Sequence, residues 1–375
     1  MWNRIACGIF VVNAAAAGLL AQTQPGSFRV TPLPADAPVE LLSADWGDSR
    51  VTTRGGAMLL ELHSTLQFKN KSARRVRGIS VLISAQDATP GGRASVTVPS
   101  LDADYGESFP VRIDLRLMRP LQSAAGAVVD VRLDGVLFDD LGFYGPNQTN
   151  PKRALLAWEM EARRDRKALQ AVLERGGEAA LREELLKALA LKSEHPRLDV
   201  QAARQGRATA IEPGHEVALA WLAMPSAPVE LTGGTVQIAG DEARAPRLTL
   251  HNLSSKPVRS VEVAWLMRDQ QGREYGAGSL PTELTLAPGK TGVASREGAL
   301  RFALPGGAPA AVAALTGFVA RVEFADGSLW VPARQALQTP RLRAALPLSG
   351  EEERLVELYR AKGLEAVVQQ LRKLR

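Results

Sequence analysis

Two stretches of the chain alternate apolar and polar side chains in the same way. The apolar positions are Ile79, Val81 and Ile83 in the first stretch, and Val261, Val263, Trp265 and Met267 in the second. Because successive side chains of a strand point to opposite faces, each stretch predicts a half-buried strand. The residues just before each stretch alternate as well, with Leu62, Leu66 and Phe68 in the first copy and Leu248 and Leu250 in the second.

Between the paired strands nearly the same sequence motif occurs twice. The motif is NKSARRVRGISV from Asn70 to Val81 and NLSSKPVRSVEV from Asn252 to Val263. Asn and Ser side chains hydrogen-bond their own backbone and close turns, so the motif predicts a strand, a tight turn and a second strand. The repeat continues with PVEL, which occurs at 38–41 and at 228–231. It also includes LFDDLGFYGP at 137–146, which corresponds to EFADGSLWVP at 323–332. The size and rhythm of each copy are typical of a two-sheet β-sandwich.

Helical spacing of apolar residues follows each copy. After the first, leucines and valines recur around Gly176 and Gly177. After the second, where Ser349 and Glu352 fit a capping box, they recur around Gly363. Both segments predict helix, glycine turn, helix. Helices this short do not persist alone in water, so their apolar stripes must lie on the adjoining sandwich, on the other hairpin or on a second molecule.

The predicted fold class is therefore mainly β with helical additions, as two tandem antiparallel sandwiches, each followed by a short helical hairpin. The expected boundaries are a signal peptide at 1–21, β-sandwich 1 at 22–150, helical hairpin 1 at 151–192, a linker at 193–213, β-sandwich 2 at 214–340 and helical hairpin 2 at 341–375.

The second copy resembles bacterial immunoglobulin-like modules of the FxLYD or CARDB kind. The resemblance lies in LTLHNLSSKPVRSVEVAWLMRDQQG, Leu248 to Gly272, followed by LAPGKT. The first copy keeps the Asn-x-Ser element but has LDADYGES in place of the Pro-Gly turn. The resemblance covers the sandwiches alone. It implies an immunoglobulin-like fold and an extracytoplasmic role in adhesion, assembly or spacing, with no shared catalytic residues.

The N-terminus indicates export. Arg4 precedes an apolar stretch from Ile5 to Leu20, and Ala21 offers a small residue for cleavage. Cys7 is the only cysteine and lies within this segment, so the mature chain would lack disulfides, thiol catalysis and cysteine metal sites. We therefore expect a periplasmic or secreted protein with no membrane span after signal removal. The formal net charge is +6, but acidic residues are interleaved throughout, so no nucleic-acid partner is expected.

The residue types argue against several candidate binding sites. Gly289-Lys290-Thr291 lacks the earlier glycine of a phosphate-binding loop, since Leu284 stands there. Asp102, Asp104 and Glu107 resemble part of a calcium loop, yet the second copy has lysine at a comparable place. The four histidines, His63, His195, His215 and His251, show no ligand-like spacing.

Phe143 and Tyr144, at a hairpin end, are the candidate partner-binding residues. Trp330 holds the place of Tyr144 in the second copy, so a shared role in the core is the competing interpretation.

These observations predict an exported, non-catalytic binding or scaffold protein without a cofactor or metal. The expected partner is a protein or polysaccharide of the cell envelope, and the helical hairpins offer a surface for oligomerisation. Two alternatives stay open: a carbohydrate-binding protein, which needs exposed aromatic side chains on a sheet face, and a hydrolase with a site between the two repeated units.

Overall fold

A computed structural model of the chain describes residues 28–54, 57–85, 93–120, 129–194, 198–203, 214–295, 299–304 and 307–374. The chain divides into two compact units, Met1–Thr149 and Asn150–Arg375, called here the first and the second unit. The structure is mainly β, with several open sheets and few helices. The expected signal peptide at 1–21, His195 and most of the expected linker lie outside the described residues.

The described residues of the first unit form two sheets. One has the strand order β1-β8-β5-β6 with β9 on β8, and the other has β2-β4-β3 with β7 along β4. The strands are β1 (Phe28–Val30), β2 (Val39–Asp45), β3 (Arg50–Arg54), β4 (Ala57–Asn70), β5 (Val76–Ala85), β6 (Arg93–Val98), β7 (Ser108–Pro120), β8 (Val129–Phe138) and β9 (Phe143–Tyr144).

Both sheets of the first unit contribute to one hydrophobic core. The predicted apolar positions of β4 and β5 lie in it, with Leu62, Leu66, Phe68, Ile79, Val81 and Ile83 all at most 1% exposed. The alternation in sequence therefore identifies the faces that meet in this core.

The strands that the structure describes in the second unit also form two sheets, with the orders β10-β18-β14-β13-β11 and β12-β19-β15-β16. In addition, β17 pairs with β14, and β20 pairs with β19. The strands are β10 (Asp199–Ala203), β11 (His215–Ala218), β12 (Ala220–Trp221), β13 (Val229–Ala239), β14 (Glu242–Asn252), β15 (Val258–Asp269), β16 (Glu274–Leu286), β17 (Thr291–Ser295), β18 (Ala299–Ala303), β19 (Val312–Phe324) and β20 (Leu329–Trp330). The helices are α1 (Pro151–Glu194), α2 (Arg334–Leu337), α3 (Pro340–Ala345) and α4 (Gly350–Lys373).

The two sheets of the second unit share a core that contains Val261, Val263, Trp265 and Met267. The expected half-buried strand is wrong for β5, where Ser80 and Leu82 on the other face are buried as well. It is wrong for β15 too, because its other face is also covered. Ala264 and Leu266 pack there with Leu342 of α3 and Ala336 of α2. Within the expected linker, residues 199–203 form β10, which pairs antiparallel with β18.

The helices α1 and α4 are both interrupted at a glycine. Gly177 has φ 68° and ψ −167°, and Gly363 has φ 82° and ψ −179°, a backbone region open essentially to glycine alone. These are the glycines at which the sequence predicts turns. The predicted capping box is confirmed: Ser349 accepts from the Glu352 amide, and the Glu352 side chain accepts from the Ser349 amide.

The apolar stripes of the two interrupted helices face each other. Leu181 and Leu185 of α1 share one cluster with Leu355, Val367 and Val368 of α4. Of the three surfaces that the sequence leaves open for these stripes, the other hairpin is the one observed. As a result α1 belongs to the second unit, although it follows the strands of the first along the chain.

No described helix is both long enough and apolar enough to span a membrane.

Candidate functional site

The predicted partner-binding residues Phe143 and Tyr144 are half-buried. They form β9, which pairs with β8 through Val136 and Leu137. The Tyr144 ring packs against the core of the first unit, and its hydroxyl donates to the Asp36 carboxylate over 3.1 Å. Burial and the Asp36 charge together raise the pKa of Tyr144. These contacts give Tyr144 a packing role, and partner binding by this edge stays a prediction.

The acidic turn of the first unit is engaged by arginines. Arg75 Nε donates to Asp104 over 2.6 Å, and Arg77 donates to Asp102 over 3.0 Å. Glu107 accepts from the Asp104 amide over 2.8 Å. Oxygen atoms already bonded to guanidinium groups are poor candidates for a hard cation that wants six or more ligands. Among the residues that the structure describes, no group of three or more His, Cys, Asp or Glu side chains is arranged to hold a metal.

A cleft in the second unit is the strongest candidate site, with a volume of about 300 Å³. Its floor is the outer face of β15 and β19, where Ala264, Phe318 and Ala320 lie side by side. The helices α2 and α3 and the second half of α1 form its walls, with apolar contributions such as Leu337, Leu342 and Leu191. Predominantly apolar clefts of this size with a few polar groups are typical ligand sites.

One wall of the cleft is held by an ion-pair network between the sheet and α1. Arg321 of β19 bonds both oxygens of Glu161, over 2.9 and 3.1 Å, and lies 3.1 Å from the Glu262 carboxylate. Glu262 also accepts from the Ser279 hydroxyl. Burial alone lowers the pKa of Arg321, but the two carboxylates outweigh it and raise that pKa above its ordinary value. The Arg321 guanidinium therefore stays charged and joins α1 to the sheet.

A second network ties α1 to the segment after β20. The Asp165 side chain is fully buried and accepts from Arg164 over 2.9 Å and from Arg334 over 3.2 Å. Arg334 also pairs with Glu352 at the start of α4. Burial lowers the pKa of Arg334, but the carboxylates of Glu352, Asp165 and Glu184 together outweigh burial and raise that pKa above its ordinary value. Arg164 further donates to the Pro332 carbonyl over 3.1 Å, which fixes the rim of the cleft.

Further polar groups line the cleft. Glu184 is half-buried and Arg343 is exposed. Arg334 Nε is buried and has no acceptor among the described atoms. These groups offer both an acceptor and donors to a bound molecule.

The sequence interpretation missed this cleft, because its residues come from segments far apart along the chain. One signal was present. The run from Val261 to Met267 is apolar at every position except Glu262, which is typical of a strand covered on both faces. A covered outer face implies a second layer, and the cleft lies between that layer and the sheet.

No protein-family model and no curated protein matches the chain. Among solved structures, it is similar to a β-glucosidase from Kluyveromyces marxianus in complex with glucose, at 9% identity and a TM-score of 0.16, over 70% of this chain and 44% of that one. It is also similar to red sea bream transglutaminase, at 10% identity and a TM-score of 0.13, over 76% of this chain and 31% of that one. The chain spans less than half the length of either structure. Likeness at this level defines neither the fold nor the activity of this chain.

Proposed function

We propose that this chain is an exported, non-catalytic binding or scaffold protein of the cell envelope or secreted space. The cleft of the second unit is its binding site. The observation that carries this function is a cleft that combines an apolar floor with polar side chains on its walls, where the buried Arg334 Nε has no acceptor among the described atoms. Such a surface is stabilised when a partner covers the floor and completes the hydrogen bonds.

The fold supports an extracytoplasmic role. We infer that each unit is an immunoglobulin-like sandwich of the FxLYD or CARDB kind, because two sheets share one core in each unit and the Asn-x-Ser turn recurs. In this interpretation the helices α1 and α4 are additions to the second sandwich. The signal-like N-terminus, from Arg4 to Ala21, supports export.

A binding role is favoured over catalysis by the state of the charged groups in the cleft. Glu161, Glu262 and Glu352 are each bonded to an arginine, so their oxygens are engaged in contacts within the protein. A general acid or base instead has to reach the proton of a bound substrate. The ion pairs thus serve to position α1, β19 and α4 around the cleft.

Carbohydrate binding is disfavoured by the aromatic side chains. Stacking on sugars would need an exposed ring on a sheet face, whereas Trp265 is 4% exposed and lies in the core with Trp221. Trp330 is half-buried and packs against the same core. A protein partner agrees better with an apolar cleft than a polysaccharide does.

Affinity capture with photo-crosslinking in producing cells tests this function. A photoreactive phenylalanine analogue replaces Ala320 inside the cleft, or Ala313 on the exposed part of the same strand as the matched control. We expect a discrete crosslinked partner from position 320 in the envelope or secreted fraction and none from position 313. Recovery of the protein from the cytoplasm alone, or identical products from both positions, would contradict the proposal.

A further inference from the structure

We propose that the outer edge of β7 in the first unit pairs antiparallel with β7 of a second copy of this chain, about a two-fold axis at Leu115. This interface involves the first unit alone and does not depend on the cleft of the second unit. It adds a partner to the proposed function, namely the chain itself.

The strand β7 is a long and regular edge strand. It pairs with β4 along its whole length, from Ser108 to Pro120, without a shift in register. Among the strands that the structure describes, β7 pairs with no other. Edge strands of this kind offer a row of backbone groups to another chain, and proteins usually protect them by shortening or bulging the strand. Neither protection is present along β7.

The direction of the backbone groups follows from one hydrogen bond at the start of the strand. The Asn70 amide donates to the Glu107 carbonyl over 3.0 Å, and the register of β4 and β7 continues from this pair. Because hydrogen-bonded pairs alternate with non-bonded ones, the odd-numbered residues of β7 direct their N–H and C=O groups towards β4. The residues that direct these groups to the open edge are Arg112, Asp114, Arg116 and Met118.

The second unit shows a strand on the corresponding edge. The repeated motif begins at Asn70 in the first unit and at Asn252 in the second, so β14 corresponds to β4, and β17 with β18 corresponds to β7. The strand β10 pairs antiparallel with β18 on the side away from β14. Among the described residues of the first unit, no strand takes that place. A strand of a second copy would occupy the position that β10 occupies in the second unit.

The charged side chains of β7 remain accessible to a second copy. Asp114 lies 3.0 Å from His63 and Arg116 lies 3.6 Å from Glu61, yet 87% of the Asp114 side chain and 72% of the Arg116 side chain are exposed. Arg112 is exposed as well.

The order of these charges favours self-pairing and selects its register. An axis at Leu115 places Asp114 opposite Arg116 of the second copy, and the symmetry repeats this pair on the other side of the axis. Opposite charges directly across two strands stabilise a sheet. An axis at Asp114 would instead place Asp114 opposite its own copy and Arg112 opposite Arg116, which is unfavourable at both positions.

The prolines of β7 select the same axis. Pro110 and Pro120 both face the open edge and have no N–H to donate, so they bound the stretch that can pair. An axis at Leu115 places the two prolines opposite each other, and every outward N–H between them finds a carbonyl. An axis at Ile113 would place Pro110 opposite Arg116 and lose a hydrogen bond there.

The inner face of β7 adds an apolar contact at this axis. Val111 and Ile113 are 0% and 2% exposed in the core of the first unit, whereas Leu115 is only partly buried against the same core. Pairing about Leu115 covers this side chain with its own copy, which removes apolar surface from water.

Sedimentation velocity of the full mature chain over a concentration series tests the proposal. We expect the wild type to shift from monomer to dimer as its concentration rises. Asp114→Arg and Arg116→Asp should each weaken self-association at least roughly tenfold, because like charges then face each other. The double variant Asp114→Arg/Arg116→Asp should restore it, because opposite charges face each other again. Asp48→Arg, at an exposed position beyond the opposite side of β4, is the control and should associate like the wild type.

Disulfide trapping with Leu115→Cys gives an independent readout, because the only cysteine, Cys7, lies in the expected signal peptide. At the axis the two introduced thiols form a non-hydrogen-bonded pair within reach of a disulfide. The matched control is Arg112→Cys, which is exposed on the same strand, but its two copies would lie about 20 Å apart. We expect a disulfide-linked dimer from Leu115→Cys alone.

Three results would overturn the proposal. The first is a wild type that is monomeric at every concentration. The second is self-association that Asp114→Arg and Arg116→Asp leave unchanged, or that the double variant does not recover. The third is disulfide formation by Arg112→Cys as fast as by Leu115→Cys.

Discussion

Asn70 and Asn252 occupy the same place in the two units and make the same hydrogen bonds. The Asn70 amide donates to the Arg74 and Ala103 carbonyls over 2.9 and 3.0 Å, and its oxygen accepts from the Ser72 amide over 2.8 Å. The Asn252 amide donates to the Lys256 and Leu286 carbonyls over 2.9 and 3.0 Å, and its oxygen accepts from the Ser254 amide over 2.9 Å. Both side chains are fully buried. The repeated motif therefore forms the same turn in both units, each time around a buried asparagine side chain.

Replacing either asparagine by alanine is expected to destabilise the protein by about 3 kcal/mol, since two carbonyls and one amide then lose a buried partner. Urea unfolding followed by far-UV circular dichroism measures the change. Lys71→Ala, at an exposed position of the same turn, is the control and should stay within about 0.5 kcal/mol of wild type. A large loss for one asparagine and none for the other would show that the two turns are not equivalent.

The sequence was sufficient to predict these turns because their chemistry is local. Asn-x-Ser closes a turn through contacts two and four residues away, and the alternation on either side identifies the buried faces. The same holds for Gly177 and Gly363, which lie where helical periodicity changes. Local patterns of this kind can be recognised in the sequence because they do not depend on contacts with distant residues.

The assignment of α1 to the second unit was not predictable from such patterns. The stripe that contains Leu181 fits any apolar surface, and only the three-dimensional structure shows that it packs on Leu355 and Val367. The cleft was missed for the same reason. Arg321 and Glu161 lie 160 residues apart along the chain and meet only in the folded second unit.

Gly177→Ala and Gly363→Ala should each destabilise the helices by roughly 1–3 kcal/mol, because the backbone there lies in a region that side chains with a Cβ rarely adopt. No atom lies within 4 Å of an added Cβ at either glycine, so the cost is conformational and not steric. Thermal unfolding measured at the helical circular dichroism band reports it. Gly350→Ala, which also meets open space, is the control and should be tolerated. Equal stability of all three variants would refute the explanation.

Arg321→Met is expected to lower the free energy of unfolding by about 3 kcal/mol, because it leaves Glu161 and Glu262 without their shared cation in a partly buried wall. Adding Glu161→Gln to Arg321→Met should restore part of the loss, since one uncompensated carboxylate is then removed. Urea unfolding of the two single variants and the double variant measures this coupling. Arg259→Met, at an exposed arginine, is the matched control. Additive effects of the two single substitutions would contradict the ion-pair network.

The pH dependence of stability should contain a contribution from Glu351. Burial raises the pKa of this carboxyl, but Arg354 and Arg166 outweigh burial and hold the pKa below 4.5. A folded-state pKa below the unfolded value gives stability that is present above the unfolded pKa and is lost as the pH falls through the folded pKa. Glu351→Gln should therefore be less stable than wild type near pH 7, and the difference should shrink from about pH 4.5 downward.

Urea midpoints between about pH 7 and pH 3 measure this convergence. The control is Glu178→Gln at an exposed position, and its urea midpoints should differ from those of the wild type by the same amount at every pH. A Glu351→Gln variant whose deficit is constant over this pH range would contradict the role of the ion pairs.

The common layer of α1 and α4, which walls the cleft, is tested most directly by amide hydrogen exchange in Leu181→Ala. Leu181 is 0% exposed in the core between the two helices, so its truncation opens a cavity there and weakens both. Leu186→Ala, at an exposed leucine of the same helix, is the control. The structure predicts faster exchange of the α4 amides in Leu181→Ala alone. Unchanged exchange in α4, with faster exchange in the strands of the first unit instead, would contradict it.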